Sequence, residues 1–164
     1  MSGDLRLPWR ELYEVHASEL VGYLWKLTGD RETATDLMQE TFLAGMRDER
    51  TLRDQASARP WLYRIATRLA YKKLQRERLI AFLPFTGRES TTGEAFDVDG
   101  HAVRSALRRI SLDQAIALVL HDAQGFTRSE IAQLSGRSEE TIKSRIARGR
   151  RAFLAAYEQE GADR

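Results

Sequence analysis

Helical spacing over long proline-free segments is the feature that most constrains what this chain of 164 residues can fold into. Proline occurs only at positions 8, 60 and 84, so the long segments between them contain no residue that would break a helix. Residues 34–45 place their apolar and small side chains at i, i+3, i+4, i+7, i+8 and i+11, which is one face of a 3.6-residue period. We therefore predict an all-α protein.

Composition excludes several classes of protein. Hydrophobic residues make up 42% of the chain and charged residues 30%, which is typical of a globular domain. No apolar run approaches the roughly 20 residues that a membrane span needs, so no membrane insertion is expected. The first residues lack the pattern of a secretory signal. Cysteine is absent, which excludes disulfides and thiolate metal sites and favours a reducing, cytoplasmic location.

A stretch of different composition divides the chain. Residues 80–100, "IAFLPFTGRESTTGEAFDVDG", are rich in Gly, Thr, Ser and Asp and keep no helical period. We predict two small helical domains, residues 1–78 and 104–164, joined by a flexible linker over residues 79–103. Apolar side chains are unusual in a mere tether, and we expect those of the linker to dock on either domain or on a partner: Phe82, Leu83, Phe85 and Phe96.

The outer face of the helix predicted around residues 34–45 combines two acids and an amide with an outward-pointing leucine. These residues are Asp36, Gln39, Glu40 and Leu43. Charged outer faces are the norm for solvated helices, so periodicity alone leaves that interpretation open beside a binding surface.

A basic helix is predicted from Trp61 to about Arg78, and Pro60 fits its first turn. Trp61 is expected in the core rather than as a wedge between bases. The outer side of this helix is a basic stripe with one aromatic residue: Arg64, Thr67, Arg68, Tyr71 and Lys72. Such a stripe can bind nucleic acid, but many basic helices are simply solvated.

Residues 126–153 predict a helix, a three-residue turn and a second helix. Thr127 and Glu130 form a capping box, Gly136 permits the tight turn, and Ser138 caps the second helix. That helix has small polar residues near its start and cations further along, as expected of a helix that reads the major groove. The alternative is a generic helical hairpin with a solvated basic face.

Three segments together resemble a known family. They are "ATDLMQETFLAGM", "RPWLYRIATRLAYKKLQRER" and "EIAQLSGRSEETIKSRIARGRRAFL". They resemble the extracytoplasmic-function (ECF) sigma factors, the smallest sigma-70-type subunits of bacterial RNA polymerase, over most of the chain and in the expected order. The resemblance implies a transcription initiation factor that binds core RNA polymerase and promoter DNA, is held by an anti-sigma factor, and uses no cofactor.

The resemblance also implies roles for particular residues. The Asp-Leu-x-Gln-Glu-x-Phe motif of the family binds the clamp helices of the large polymerase subunit, which points to Asp36, Gln39, Glu40 and Leu43. The helix from Trp61 resembles the element that recognises the −10 region, which points to Arg64, Thr67, Arg68, Tyr71 and Lys72. The last helix resembles the reader of the −35 element, which points to Arg137, Ser138, Glu140, Thr141, Lys143, Ser144, Arg145 and Arg148.

The sequence departs from the family pattern on the basic helix. The family often has Arg-Asn where Thr67-Arg68 stands and an acid where Lys72 stands, so no −10 sequence preference is carried over.

A stand-alone helix-turn-helix regulator is the rival function, but it would need no carboxylate-and-amide face on residues 36–47. Catalysis is not expected, because the three histidines are scattered and no phosphate-binding loop is present.

Overall fold

The computed structural model describes residues 8–81 and 98–162, and every regular element within these ranges is helical, which confirms the all-α prediction. The helices are, in chain order, α1 (Trp9–Thr28), α2 (Arg31–Arg47), α3 (Ala58–Ala81), α4 (Val98–Arg109), α5 (Leu112–Leu118), α6 (Arg128–Ser135) and α7 (Glu139–Ala162). Two short 3-10 turns, Glu49–Thr51 and Gln55–Ser57, precede α3. A five-residue π-helical turn, Val119–Ala123, continues α5.

The junction between α1 and α2 follows from two residues. Gly29 ends α1 in the left-handed conformation, at φ +71°, which a residue with a side chain adopts only with strain. Asp30 then caps α2, because its carboxylate accepts a 2.8 Å hydrogen bond from the backbone N–H of Thr33. Hydrogen bonding from the side chain of Thr33 and from its backbone N–H lowers the pKa of Asp30. The chain therefore turns within two residues, and α2 packs against α1.

The apolar face predicted for residues 34–45 is buried, as the period indicated. All of its members are enclosed between α1 and α3: Ala34, Leu37, Met38, Thr41, Phe42 and Gly45. Gly45 is required here by close packing, since a Cβ atom at this position would lie 3.0 Å from ring atoms of both Trp9 and Trp61.

The basic helix is longer than the sequence pattern predicts. It begins at Ala58 rather than Trp61, because Asp54 caps a 3-10 turn that runs directly into it, with a 2.7 Å bond from the Ser57 N–H to the Asp54 carboxylate. Residues 79–81 complete α3 and residues 98–103 begin α4, so both ends of the predicted linker are helical. The linker side chains Phe82, Leu83, Phe85 and Phe96 lie outside the described residues.

The carboxyl-terminal half packs around α7, which contacts α4, α5 and α6. Helices α5 and α7 approach closely at Gly149, where a Cβ atom would lie 3.1 Å from the carbonyl oxygen of Gln114. Three isoleucines, Ile131, Ile142 and Ile146, are almost completely buried and hold α6 against α7. Phe153, further along α7, is only partly buried.

The two halves of the molecule also pack against each other, through α1 and α3 on one side and α4 and α6 on the other. The guanidinium carbon of Arg104 lies 4.1 Å from the ring centroid of Trp25. Arg78 donates a 3.0 Å hydrogen bond from Nη1 to the carbonyl oxygen of Ile110. Buried hydrophobic side chains of both halves form one continuous core.

Candidate binding surfaces

The first candidate surface lies on α2, and we call it the acidic face. It comprises Asp36, Gln39, Glu40 and Leu43, all of which are exposed. Leu43 leaves 52% of its surface exposed, while the opposite side of α2 is buried.

Two residues that the sequence pattern did not single out extend the acidic face. Met46, one turn after Leu43, is 46% exposed, and Tyr13 on α1 is 45% exposed. The Tyr13 ring lies 5.0 Å from that of Phe42, on the buried side of α2, and so connects the two helices. In the sequence, the available signal for Tyr13 was a large aromatic residue that falls outside the buried positions of α1. On α2, Leu43 and Met46 form an exposed apolar strip beside the carboxylates of Asp36 and Glu40.

The basic stripe of α3 is not uniformly exposed. Arg64, Arg68 and Lys72 are exposed, whereas Thr67 and Tyr71 are half-buried. Trp61 leaves 7% of its surface exposed and donates a 3.0 Å hydrogen bond from its indole N–H to the hydroxyl of Thr51, which confirms it as a core residue. The stripe therefore offers three cations to a ligand.

The helix, three-residue turn and second helix predicted for residues 126–153 are present. The hydroxyl of Thr127 accepts from the Glu130 N–H and the Glu130 carboxylate accepts from the Thr127 N–H, at 3.1 and 2.7 Å. Gly136 adopts the left-handed conformation at φ +64°. Ser138 caps α7 by accepting a 3.1 Å bond from the Thr141 N–H, and the hydroxyls of these two residues lie 2.8 Å apart.

Ion pairs divide the cations of α7 into two groups. Arg145 lies 3.4 Å from the carboxylate of Asp113, and Arg150 binds Asp122 through Nε at 2.9 Å and Nη2 at 2.5 Å. Lys143 and Arg148 are exposed and form no ion pair in the part of the chain that the structure describes. Near the start of the motif, Arg137, Ser138 and Glu140 are exposed, while Thr141 and Ser144 are half-buried.

The stripe of α3 and the helix-turn-helix motif face one another across a cavity of about 280 Å³. Four residues of the stripe line one side: Arg64, Thr67, Arg68 and Tyr71. The other side belongs to α5, α6 and α7 and includes Arg137, Arg145 and Asp113. The structure thus brings together two sets of residues that are more than 40 positions apart in the sequence.

Within residues 8–81 and 98–162, no group of three or more His, Asp or Glu side chains is placed to hold a metal ion. No helix in the same ranges is both long and apolar enough to cross a membrane.

Comparison with known proteins identifies both halves of the chain. Residues 12–80 match the family model of sigma-70 region 2, and residues 100–153 match that of sigma-70 region 4. The fold is shared with the sigma factor RpoE of Bartonella quintana, solved in complex with the anti-sigma factor NepR. That match has a TM-score of 0.74 at 22% identity and covers 92% of this chain and 96% of that one.

Full-length relatives give the same result. The chain is 27% identical over 149 residues to the RNA polymerase sigma factor YlaC of Bacillus subtilis, and the aligned region covers 85% of this chain and 86% of the relative. It is 30% identical over 165 residues to the ECF RNA polymerase sigma factor SigL of Mycobacterium tuberculosis, which covers 94% of this chain and 92% of the relative. The chain therefore belongs to the extracytoplasmic-function sigma factors of the sigma-70 family.

Proposed function

We propose that this chain binds core RNA polymerase through the acidic face of α2 and directs it to promoters through α3 and the helix-turn-helix motif. As an ECF sigma factor it is a transcription initiation factor, and the role requires no covalent chemistry from the chain itself. The observation that carries the proposal is the occurrence of sigma regions 2 and 4, in that order, on the two halves that present these surfaces.

The chemistry of the acidic face supports polymerase binding. An exposed apolar side chain surrounded by polar groups is the usual arrangement at the centre of a protein interface. Leu43 supplies that centre, and Asp36, Gln39 and Glu40 supply the polar rim. Two carboxylates also make the face complementary to a basic surface on the partner, which favours rapid association.

The cations of α3 and α7 support DNA binding. Arg64, Arg68 and Lys72 would contact the −10 region, and Lys143 and Arg148 would contact the −35 element. The last two are free of internal ion pairs in the described structure, so they can neutralise phosphates without first breaking a contact. Thr141 precedes both cations on α7 and Ser144 lies between them, and a short polar side chain near the start of such a helix can reach a base edge.

The proposed division of labour assigns residues 1–78 to polymerase and −10 binding and residues 104–164 to −35 binding, with residues 79–103 as the connection. Its place of action would be the cytoplasm, where bacterial polymerase works. A relative of the same fold was solved with an anti-sigma factor, and we extend that class of partner to this chain.

The proposal is tested by co-purification with core polymerase. We expect the double variant Gln39→Ala/Glu40→Ala to lose at least about tenfold in affinity, or about 1.4 kcal/mol, because it removes two of the three residues of the polar rim. A matched control is Glu158→Ala/Gln159→Ala, which removes the same two residue types from exposed positions on α7. Equal retention of polymerase by both double variants would reject the acidic face as the binding site.

The rival interpretation, a regulator that binds DNA on its own, makes the opposite prediction. Such a protein would bind duplex DNA tightly without polymerase and would not co-purify with it at all. Transcription by core polymerase on a genomic library, with and without this chain, separates the two and yields the promoter sequence.

A further inference from the structure

A cavity of about 380 Å³ lies where the carboxyl-terminal ends of α1, α3 and α4 meet. We call it the arginine cavity, because three arginines line it: Arg78 from α3, and Arg108 and Arg109 from α4. Its lining includes no residue of the acidic face, of the α3 stripe or of the helix-turn-helix motif. The arginine cavity is therefore separate from the candidate surfaces for polymerase and DNA.

Arg78 is the most buried of the three arginines. Its side chain is half-buried, and its Nη1 donates a 3.0 Å hydrogen bond to the carbonyl oxygen of Ile110. That bond uses one of the five N–H donors that a guanidinium carries. Burial lowers the pKa of Arg78, and the nearby charge of Arg108 lowers it further. The charged form of Arg78 thus lies where both its surroundings and its neighbour disfavour it.

Arg108 is held beside the turn that joins α1 to α2. A Cβ atom at Gly29 would lie 3.1 Å from Cδ and 3.3 Å from Nη1 of Arg108, so the arginine passes directly over the backbone of this glycine. Within residues 8–81 and 98–162, neither Arg108 nor Arg78 forms an ion pair with a carboxylate. The two guanidinium groups therefore share one cavity without an acid between them.

The carboxylates nearest to the cavity already have partners. Glu77, the one acid among the lining residues that the structure describes, lies 3.2 Å from the ammonium of Lys73. Glu160 of α7 lies 3.4 Å from Nη1 of Arg109. Each of these pairs is neutral overall, so two positive charges on the cavity wall remain unmatched.

The unmatched charges indicate the class of ligand. Two guanidinium groups that repel one another are stabilised by an anion placed between them. A phosphate monoester carries roughly −1.5 to −2 charges at pH 7 and three strong acceptor oxygens. The planar fork of an arginine matches those oxygens in pairs. One phosphate monoester group would therefore offset both arginines.

The size and the apolar lining of the cavity indicate an organic part attached to the phosphate. Small-molecule sites usually occupy roughly 300–1,000 Å³, and the arginine cavity lies in that range. Its apolar lining consists of Leu27, Leu74 and Ala81. Inorganic phosphate would leave this lining uncovered, whereas an organic group on the phosphate would contact it.

We propose that the arginine cavity binds a small phosphate monoester, with the phosphate group between Arg78 and Arg108 and the organic part against the apolar lining. Arg78 belongs to sigma region 2 and Arg108 to sigma region 4, so the ligand bridges the two regions. The proposal adds a ligand to this chain and does not depend on the surfaces proposed for polymerase and DNA.

Arginines at these positions could also act only on the helix ends, because a cation stabilises the negative, carboxyl-terminal end of a helix. A lysine would serve that role as well as an arginine, but it lacks the forked donors that match a phosphate. Arg108→Lys therefore separates the two roles. It should keep the stability of the chain in urea denaturation and weaken the binding of a phosphate monoester.

Isothermal titration calorimetry of the full chain with phenyl phosphate tests the proposal. Phenyl phosphate carries both a monoester group and an apolar ring, while inorganic phosphate and phenol each carry one of these parts. At an ionic strength of about 0.15 M, we expect phenyl phosphate to bind about tenfold more tightly than inorganic phosphate, because the ring covers apolar surface. Phenol should not bind, since it leaves the two charges unmatched.

The variants locate the site. Arg108→Lys and, separately, Arg78→Gln should each weaken phenyl phosphate binding about tenfold, the usual size of a lost hydrogen bond to a charged group. The matched control is Arg76→Gln, which removes an exposed arginine of α3 that does not line the cavity. Circular dichroism checks that each variant is folded, and if Arg78→Gln is not, the comparison of Arg108→Lys with the control decides.

Three results would overturn the proposal. The first is the absence of saturable binding of phenyl phosphate, and the second is an equal loss of affinity in Arg108→Lys and Arg76→Gln; either would leave the arginines as neutralisers of helix ends. The third is a loss of affinity for a short mixed-sequence duplex in Arg78→Gln as large as its loss for phenyl phosphate, which would make the cavity a contact for DNA phosphates. The polymerase co-purification is independent of all three, so their failure leaves the proposed function intact.

Discussion

The phenol oxygen of Tyr23 and the hydroxyl oxygen of Thr67 lie 2.8 Å apart, and this bond joins α1 to α3. Tyr23 is completely buried, and burial raises the pKa of its phenol far above the usual range, so the group stays neutral. Thr67 is thereby turned inward from the stripe on which the sequence places it. Its hydroxyl therefore serves the packing of α1 against α3.

Removing this bond should weaken the amino-terminal half. Tyr23→Phe keeps the buried ring and loses one hydrogen bond, which typically contributes about 1 kcal/mol. We expect that loss in the free energy of unfolding, measured by urea denaturation. Thr67→Val should cost a similar amount, and the double variant should cost less than the sum, because the two single changes break the same bond. Strict additivity would show that the hydroxyls do not interact.

Gly45 should not accept a side chain. The Cβ atom of Gly45→Ala would meet Trp9 and Trp61 at 3.0 Å on two sides. Overpacking of this kind costs roughly 1–3 kcal/mol, while alanine gains about 1 kcal/mol in helix propensity over glycine. We therefore expect a net loss of stability in urea denaturation, together with a change in tryptophan fluorescence as the two indoles move.

A matched glycine provides the control for that experiment. Gly161 lies in the last turn of α7 and has nothing within 4 Å of the position of a Cβ atom. Gly161→Ala should be neutral or slightly stabilising, since only the propensity gain applies. If both variants lost stability equally, the close approach of the two indoles to α2 would not be the cause.

The Asp122–Arg150 pair should make stability depend on pH in the acid range. Hydrogen bonds from Arg150 lower the pKa of Asp122 to about 2, against about 3.9 in an unfolded chain. Because the folded pKa is depressed, the contribution is complete above about pH 4 and is lost as pH falls towards 2. The carboxylate is 38% exposed, so solvent screening limits the contribution to about 0.5–1 kcal/mol.

Urea denaturation of Asp122→Asn checks this. The variant should be less stable than the parent chain at pH 6, and about half of that difference should have disappeared by pH 3. Arg150→Gln should behave in the same way, because it removes the other member of the pair. A stability difference of equal size at pH 3 and pH 6 would show that the lowered pKa of Asp122 is not its source.

Local patterns predicted most of the fold because each depends on residues close together in the sequence. The capping box at Thr127 and the turn at Gly136 each depend on residues within a few positions along the chain, and both are present as predicted. The exposure of Asp36, Gln39, Glu40 and Leu43 on the outer side of α2 also follows from the helical period. The start of α3 was missed by three residues, because a 3-10 turn capped by Asp54 leaves no periodic signal.

Contacts between distant residues could not be predicted in the same way. Nothing in the sequence links Arg59 to Gln124, and Arg145 and Arg150 look unpaired along α7 until Asp113 and Asp122 are brought beside them. These pairs depend on how helices pack, which local patterns do not specify. For this reason the sequence alone suggests more unpaired cations on α7 than the described structure has.

Two arginines of α7 differ in whether they form an ion pair. Arg148 and Arg150 are both exposed on α7, but only Arg150 forms an ion pair in the described structure. Arg148→Ala should therefore weaken binding of the full chain to a mixed-sequence duplex and lower the slope of log affinity against log salt by about 0.9, the value for one phosphate contact. Arg150→Ala should change the slope little, because its guanidinium already has the Asp122 carboxylate as a counter-ion. Fluorescence anisotropy titrations at several salt concentrations measure both slopes. If the two variants lost the same slope, internal ion pairs would not decide which cations of α7 reach DNA.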